Sequence, residues 1–291
     1  MNEDPDQAFY LYGFAQPDFV EKAMGPPPSE TASPSADSGR RSFWEAAGIE
    51  AGHPPFFRRC GATVAVLSVV SKAEFCGPAA ESNLQDLAWV GSRAGKHQAV
   101  LHQVMLLAPA FPARFGTLFS SLGILDQFVE QHRETIERFL ERVAGQEEWA
   151  VKGFLDRAAA EEELSQRRWA EQKVSLPSTP GLGYLQEQRL RLEVRQELED
   201  WVSAASSALA AELAPLAAEA CQRAVLSRAV AGSEPEMFLN WAFLVPSSRA
   251  AEFQSHIKQV GARQALPSLT FTVSGPWPPY SFCPSLEAAV G

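Results

Sequence analysis

The chain of 291 residues lacks most of what would fix a function at once. Basic residues are scarce: 25 Lys and Arg face 35 Asp and Glu, a net charge of −10. That balance leaves no basic stripe for nucleic acid and no attraction to anionic lipid. No apolar run approaches the roughly 20 residues of a membrane span. The longest, residues 62–70, is strand-sized. Four cysteines, Cys60, Cys76, Cys221 and Cys283, show no CxxC spacing, so reduced thiols of a cytoplasmic protein are expected. The acidic start Met1-Asn2-Glu3-Asp4-Pro5-Asp6 is unlike a signal peptide.

Catalytic signatures are missing too. There is no GxSxG elbow and no HExxH pair. Gly91-Ser92-Arg93-Ala94-Gly95-Lys96 is one residue short of a phosphate loop, and His97 stands where Ser or Thr should hold magnesium. His97 and His102, five apart, lie on different helix faces and make no metal pair. Glu161-Glu162-Glu163 reads as a solvated face. No enzyme, catalytic residue, cofactor, metal or small-molecule substrate is therefore expected. The rival from another class is a small enzyme in which Arg114 binds an anion and His97 or Glu148 moves a proton.

What is present is core-forming material: hydrophobic residues make up 46%. A length near 300 suggests two domains. Residues 8–14 read as a first strand, aromatic on both faces, and residues 62–70 as a central strand. Residues 82–107 carry a helical pattern with an expected break at Gly91 to Gly95. Residues 110–119 read as a strand, its early proline suggesting an edge position or a strand start. Leu125, Phe128, Val129, His132, Ile136, Phe139, Leu140 and Val143 recur at helical steps, with Ser120 or Ser121 as cap and Gly145 as stop. A strand over 148–153 and a charged helix over 155–173 follow. The breaker Leu176-Pro177-Ser178-Thr179-Pro180-Gly181-Leu182-Gly183 marks the expected domain boundary. A long helix from Tyr184, strands over 225–231 and 237–245, a helix over 249–260 and a final strand over 269–274 complete the pattern. The expected fold is α+β: an N-terminal domain, 1–175, with a flexible loop over 24–60, and a C-terminal domain, 176–291, joined by the Pro/Gly segment and long helices.

Two segments stand out. Gly275-Pro276-Trp277-Pro278-Pro279-Tyr280-Ser281-Phe282 follows the last strand as a stiff, extended, aromatic stretch. Proline fixes the backbone, so such a stretch loses little entropy on docking. It either holds a partner or packs on its own domain. Arg114-Phe115-Gly116-Thr117 joins a guanidinium to a glycine that permits close backbone approach. It either binds an anion or forms a turn in which Arg114 pairs with Asp126 or Glu130.

Together these segments resemble the gas vesicle protein L/F family. The resemblance also rests on Tyr10-Leu11-Tyr12-Gly13, Leu87-Ala88-Trp89-Val90, His97-Gln98-Ala99-Val100-Leu101, Pro112-Ala113 before Arg114, and Leu118-Phe119 after Thr117. Trp149-Ala150-Val151-Lys152, Gly183-Tyr184-Leu185 and Asn240-Trp241-Ala242-Phe243-Leu244-Val245 continue it in order. Residues 25–61, with their long Pro/Ser/Ala-rich loop, depart from it. The resemblance implies two α+β domains, at least one ferredoxin-like, and no enzymatic activity. It implies an accessory protein of gas vesicle formation, in the cytoplasm or on the vesicle. It also implies partners: the small hydrophobic shell protein and other gas vesicle accessory proteins. The expected partner-binding residues are Arg114, Phe115, Gly116 and Thr117, with Gly275, Pro276, Trp277, Pro278, Pro279, Tyr280 and Phe282. A generic cytoplasmic protein–protein adaptor is the alternative.

Overall fold

The computed structural model describes residues 4–24, 48–172, 180–225, 235–263 and 268–286. Contacts divide the chain into two units: Met1–Gly145 with Trp277–Gly291, and Gln146–Pro276.

In the first unit, β1 (Gln7–Ala15) is followed by α1 (Asp18–Met24), β2 (Phe56–Cys60) and β3 (Thr63–Ser71). Two short helices, α2 (Lys72–Phe75) and α3 (Pro78–Gln85), lead to α4 (Leu87–Met105). Then come β4 (Ala110–Pro112), β5 (Leu118–Phe119) and α5 (Leu122–Arg142). The strands order as β2-β3-β1-β4, with β5 also on β1, and β1 pairs antiparallel with β3, β4 and β5. β1 is central because its residues are apolar on both faces. Tyr10 and Tyr12 pack with Val100, Leu101 and Val104 of α4. Phe14 meets Phe111, which in turn meets Phe139 of α5 at 4.7 Å between ring centroids. The register slips between Leu11 and Gly13, a bulge that re-aims the strand.

The second unit is built from β6 (Gln146–Leu155), α6 (Arg157–Gln172), α7 (Pro180–Leu213), β7 (Glu219–Gln222), β8 (Glu236–Pro246), α8 (Ala250–Arg263) and β9 (Leu269–Trp277). Its strands order as β7-β8-β6-β9. Trp149, Val151, Phe243 and Val245 bury one sheet face against Leu209, Leu213, Phe253 and Ile257.

Several expectations are corrected. The division falls at Gly145, not in the 176–183 breaker, because β6 pairs along its length with β8. Residues 173–179 lie outside the described residues, and Pro180 to Gly183 begin α7. The end of the segment expected as a flexible loop over 24–60 is ordered: Ile49 is fully buried and Phe56–Cys60 pairs with β3. Residues 25–47 lie outside the described residues. The strand expected over 225–231 falls on residues of which 226–231 lie outside the described ones, and β7 is a strand the sequence reading did not expect. The strand expected over 110–119 is two short pieces separated by a loop.

The expected break at Gly91 to Gly95 does not occur: α4 is continuous, and the interruption sits at Asp86. That side chain accepts from the backbone N–H groups of Ala88 and Trp89 and so caps α4. Gly91 and Gly95 are exposed, and a Cβ on either would meet open space. Alanine at each is expected to stabilise the protein by about 0.5–1 kcal/mol, through helix propensity alone. A thermal or urea melt checks this; a lower midpoint would show that something packs on that face.

Candidate functional site

The loop between β4 and β5 holds Arg114, Phe115, Gly116 and Thr117. The hydroxyl and the backbone N–H of Thr117 both donate to the Arg114 carbonyl, closing a turn that leaves the Arg114 side chain exposed. Gly116 sits at φ +84°, where a side chain is disfavoured. Phe115 is half-buried against Tyr10 and His97. Asp126, one expected partner of Arg114, is instead bonded by Arg58 at 2.8 Å. That bond holds the Asp126 carboxyl below its usual range.

The Pro-aromatic segment is not uniformly extended. β9 continues through Gly275 and Pro276 to Trp277, beyond the stop the prolines suggested, and a single 3₁₀ turn then covers Tyr280–Phe282. Of its aromatic residues Trp277 is the exposed one, at 39%. Tyr280 is half-buried, while Pro278, Pro279 and Phe282 are buried. Arg142 donates to the Phe282 carbonyl at 2.5 Å and fixes the turn on the first unit.

His97 holds the same segment from inside. It is 3% exposed, ring-stacked between Tyr12 and Tyr280. Its Nδ1 lies 2.8 Å from the Tyr10 hydroxyl, and its Nε2 lies 2.8 Å from the Tyr280 hydroxyl. Gly116 N–H already donates to the Tyr10 oxygen. With two hydroxyls facing the ring, one imidazole nitrogen carries the proton and donates while the other accepts. This needs a neutral imidazole. Burial supplies it, pushing the His97 pKa down to about 4 against the smaller opposing effect of the Ala113 carbonyl. Burial likewise raises the hydroxyl pKa of Tyr10 and of Tyr12.

The first unit thus brings Arg114, Thr117 and Tyr280 together at one cavity, lined further by Leu11, Phe14, Phe111, Phe128, Cys283 and Leu286. Gly275 and Pro276 belong to the second unit. Sequence reasoning missed the apolar lining, because its members come from four separate stretches and none stands out as part of a site. His97 was weighed only as a catalytic or metal residue. Its place on the buried face of α4, beside Val100, Leu101 and Val104, was the available signal. Among the described residues, no group of three or more His, Cys, Asp or Glu could hold a metal ion. No helix there is long and apolar enough to cross a membrane.

Comparison with known proteins gives matches over most of the chain. The family model described as gas vesicle synthesis protein GvpL/GvpF matches residues 8–284. The gas vesicle protein L of Streptomyces sp. (strain CB03234) is 28% identical over 242 residues, 82% of this chain and 86% of that protein. The crystal structure of GvpF from Anabaena sp. PCC7120 superposes with a TM-score of 0.64 at 17% identity, covering 98% of this chain and 99% of that one. GvpF from Microcystis aeruginosa gives a TM-score of 0.59, also at 17% identity, over 96% and 99% of the two chains. At that identity the two structures establish likeness of fold.

Proposed function

This chain belongs to the gas vesicle synthesis protein GvpL/GvpF family, and we propose that it serves gas vesicle formation by holding another vesicle protein through the exposed Arg114 loop and the Pro-aromatic segment that carries Trp277. Membership gives it a role in gas vesicle formation. The proposed partner is the small hydrophobic shell protein, held directly or through another accessory protein, in the cytoplasm or at the growing vesicle. What supports this is a juxtaposition: Arg114 and Thr117 line one cavity with Tyr280, so the two most distinctive sequence segments meet there.

The physical need is plain. A subunit that will line a gas space carries apolar surface before it assembles, and such surface aggregates unless covered. A protein of net charge −10 that covers it keeps the complex in solution. Trp277 and the Arg114 loop offer a surface contact, whereas the buried Phe282 and prolines shape the turn that presents it.

In a vesicle-forming host lacking this chain, the wild type should restore pressure-collapsible light scattering. A chain carrying Arg114→Gln with Trp277→Ala, at equal abundance, should restore several-fold less. Equal restoration by both chains would overturn the role given to Arg114 and Trp277.

A further inference from the structure

The cavity beside Arg114 has a volume of about 260 Å³. Sites for drug-sized ligands and cofactors begin at roughly 300 Å³, so this one is matched to a single apolar side chain. Leu11, Phe14 and Phe111 are almost completely buried and present carbon to it. Phe128, Tyr280, Pro284 and Leu286 are half-buried around them.

Next to this apolar lining stands a cation. Arg114 makes no ion pair among the described residues, and Asp126, one of its expected partners, is held by Arg58. On a chain of net charge −10 it is an exposed positive point at the edge of an aromatic hollow. A guanidinium so placed recognises a carboxylate through paired, charge-assisted hydrogen bonds. Fully desolvated hollows that accept one large side chain are where interface energy concentrates.

We propose that this cavity anchors one apolar side chain of a partner polypeptide, with an Asp or Glu beside that side chain paired to Arg114. The inference rests on the partner-holding role proposed above and states what the partner must carry. Apolar area in the hollow supplies the affinity, and Arg114 sets the orientation. An apolar segment without an adjacent acid would leave Arg114 unused and bind less tightly.

The test uses the full chain with labelled Leu and Ala methyl groups, titrated in solution with 3-phenylpropanoate and, separately, with 3-phenylpropan-1-ol. The methyl resonances of Leu11, Ala113 and Leu286 should shift and saturate. The carboxylate should bind about tenfold tighter than the alcohol, the size of one well-made charged hydrogen bond. Arg114→Gln should erase that preference and keep the shifts. An end-capped Gly-Asp-Phe-Gly peptide should move the same methyls, and its Asp→Asn counterpart should do so less. Absence of saturable shifts, or equal affinity for acid and alcohol, overturns the proposal. Shifts with phenylpropanoate but none with the peptide overturn its polypeptide part. Failure to capture any vesicle protein while all these shifts persist would sink the functional reading and leave the pocket's chemistry standing.

Discussion

Replacing Gly13 by alanine is expected to cost the first unit its stable fold. A Cβ there would lie 2.4 Å from the Phe111 carbonyl oxygen and 3.1 Å from Leu101 Cδ2. The first contact is with the backbone of β4, which pairs with β1 at Gly13 and Pro112. A side chain could rotate away; a paired strand has to move as a whole. Moving β4 would disturb Phe111 and its contact with Phe139. It would also disturb the loop that carries Arg114. Overpacking typically costs about 1–3 kcal/mol, and a clash with a strand backbone belongs above that range, among the most damaging single changes. Soluble yield and a urea melt measure it. A stability loss below about 1 kcal/mol would mean that the approach of β1 to β4 is looser than described.

Acidification should destabilise the first unit through His97, with a sign that follows from its burial. In the unfolded chain the imidazole takes a proton near pH 6.5, whereas in the fold it does so only at about 4. Between those values the unfolded state holds a proton that the native state does not, so falling pH favours unfolding. The stability tied to the neutral ring is complete above pH 6.5 and fades as pH drops towards 4. Its full size is about 3 kcal/mol from that difference. Protonation would also make both ring nitrogens donors, so the hydroxyl that donates to the neutral ring would lose its acceptor. The check compares the wild type with the non-titrating His97→Gln, using denaturation and hydrogen exchange of the β1 amides from pH 7 to pH 4. The wild type's advantage should shrink by most of those 3 kcal/mol. An advantage that stays constant across this range would show that His97 does not titrate in the window.

Local structure was readable wherever one element decides its own burial. The α5 stripe is the clearest instance: Leu125, Val129, Ile136, Phe139 and Leu140 are all buried, and the expected Ser121 caps the helix by accepting from Ile124 N–H. β1 was readable because an aromatic run on both faces fits only an interior strand. α4 was misread at Gly91 and Gly95, since two glycines lower helix propensity without stopping a 19-residue helix that is packed along its other face. What depended on distant pairing stayed hidden. Nothing near Gly145 in sequence announces that β6 joins β8 some ninety residues later. Nothing near Tyr280 announces His97.

The candidate site divides along the same line. Arg114-Phe115-Gly116-Thr117 and the Pro-aromatic segment were visible as unusual residue combinations, and both contribute to one cavity. Which of their residues face outward was not visible, because that follows from the 3₁₀ turn at Tyr280–Phe282 and from the Arg142 contact that fixes it. Phe282 therefore supports the site from within, and Trp277 presents itself at the surface.

The most direct measurement is affinity capture of a gas vesicle shell protein from the soluble fraction after co-expression with this chain. The wild type should bring the shell protein down in soluble form. Arg114→Gln with Trp277→Ala, at an unchanged melting temperature, should reduce capture by about tenfold, about 1.4 kcal/mol of binding. A folded wild-type chain that captures no shell protein, directly or through another vesicle protein, would contradict the proposed function. So would capture that is equal for both chains.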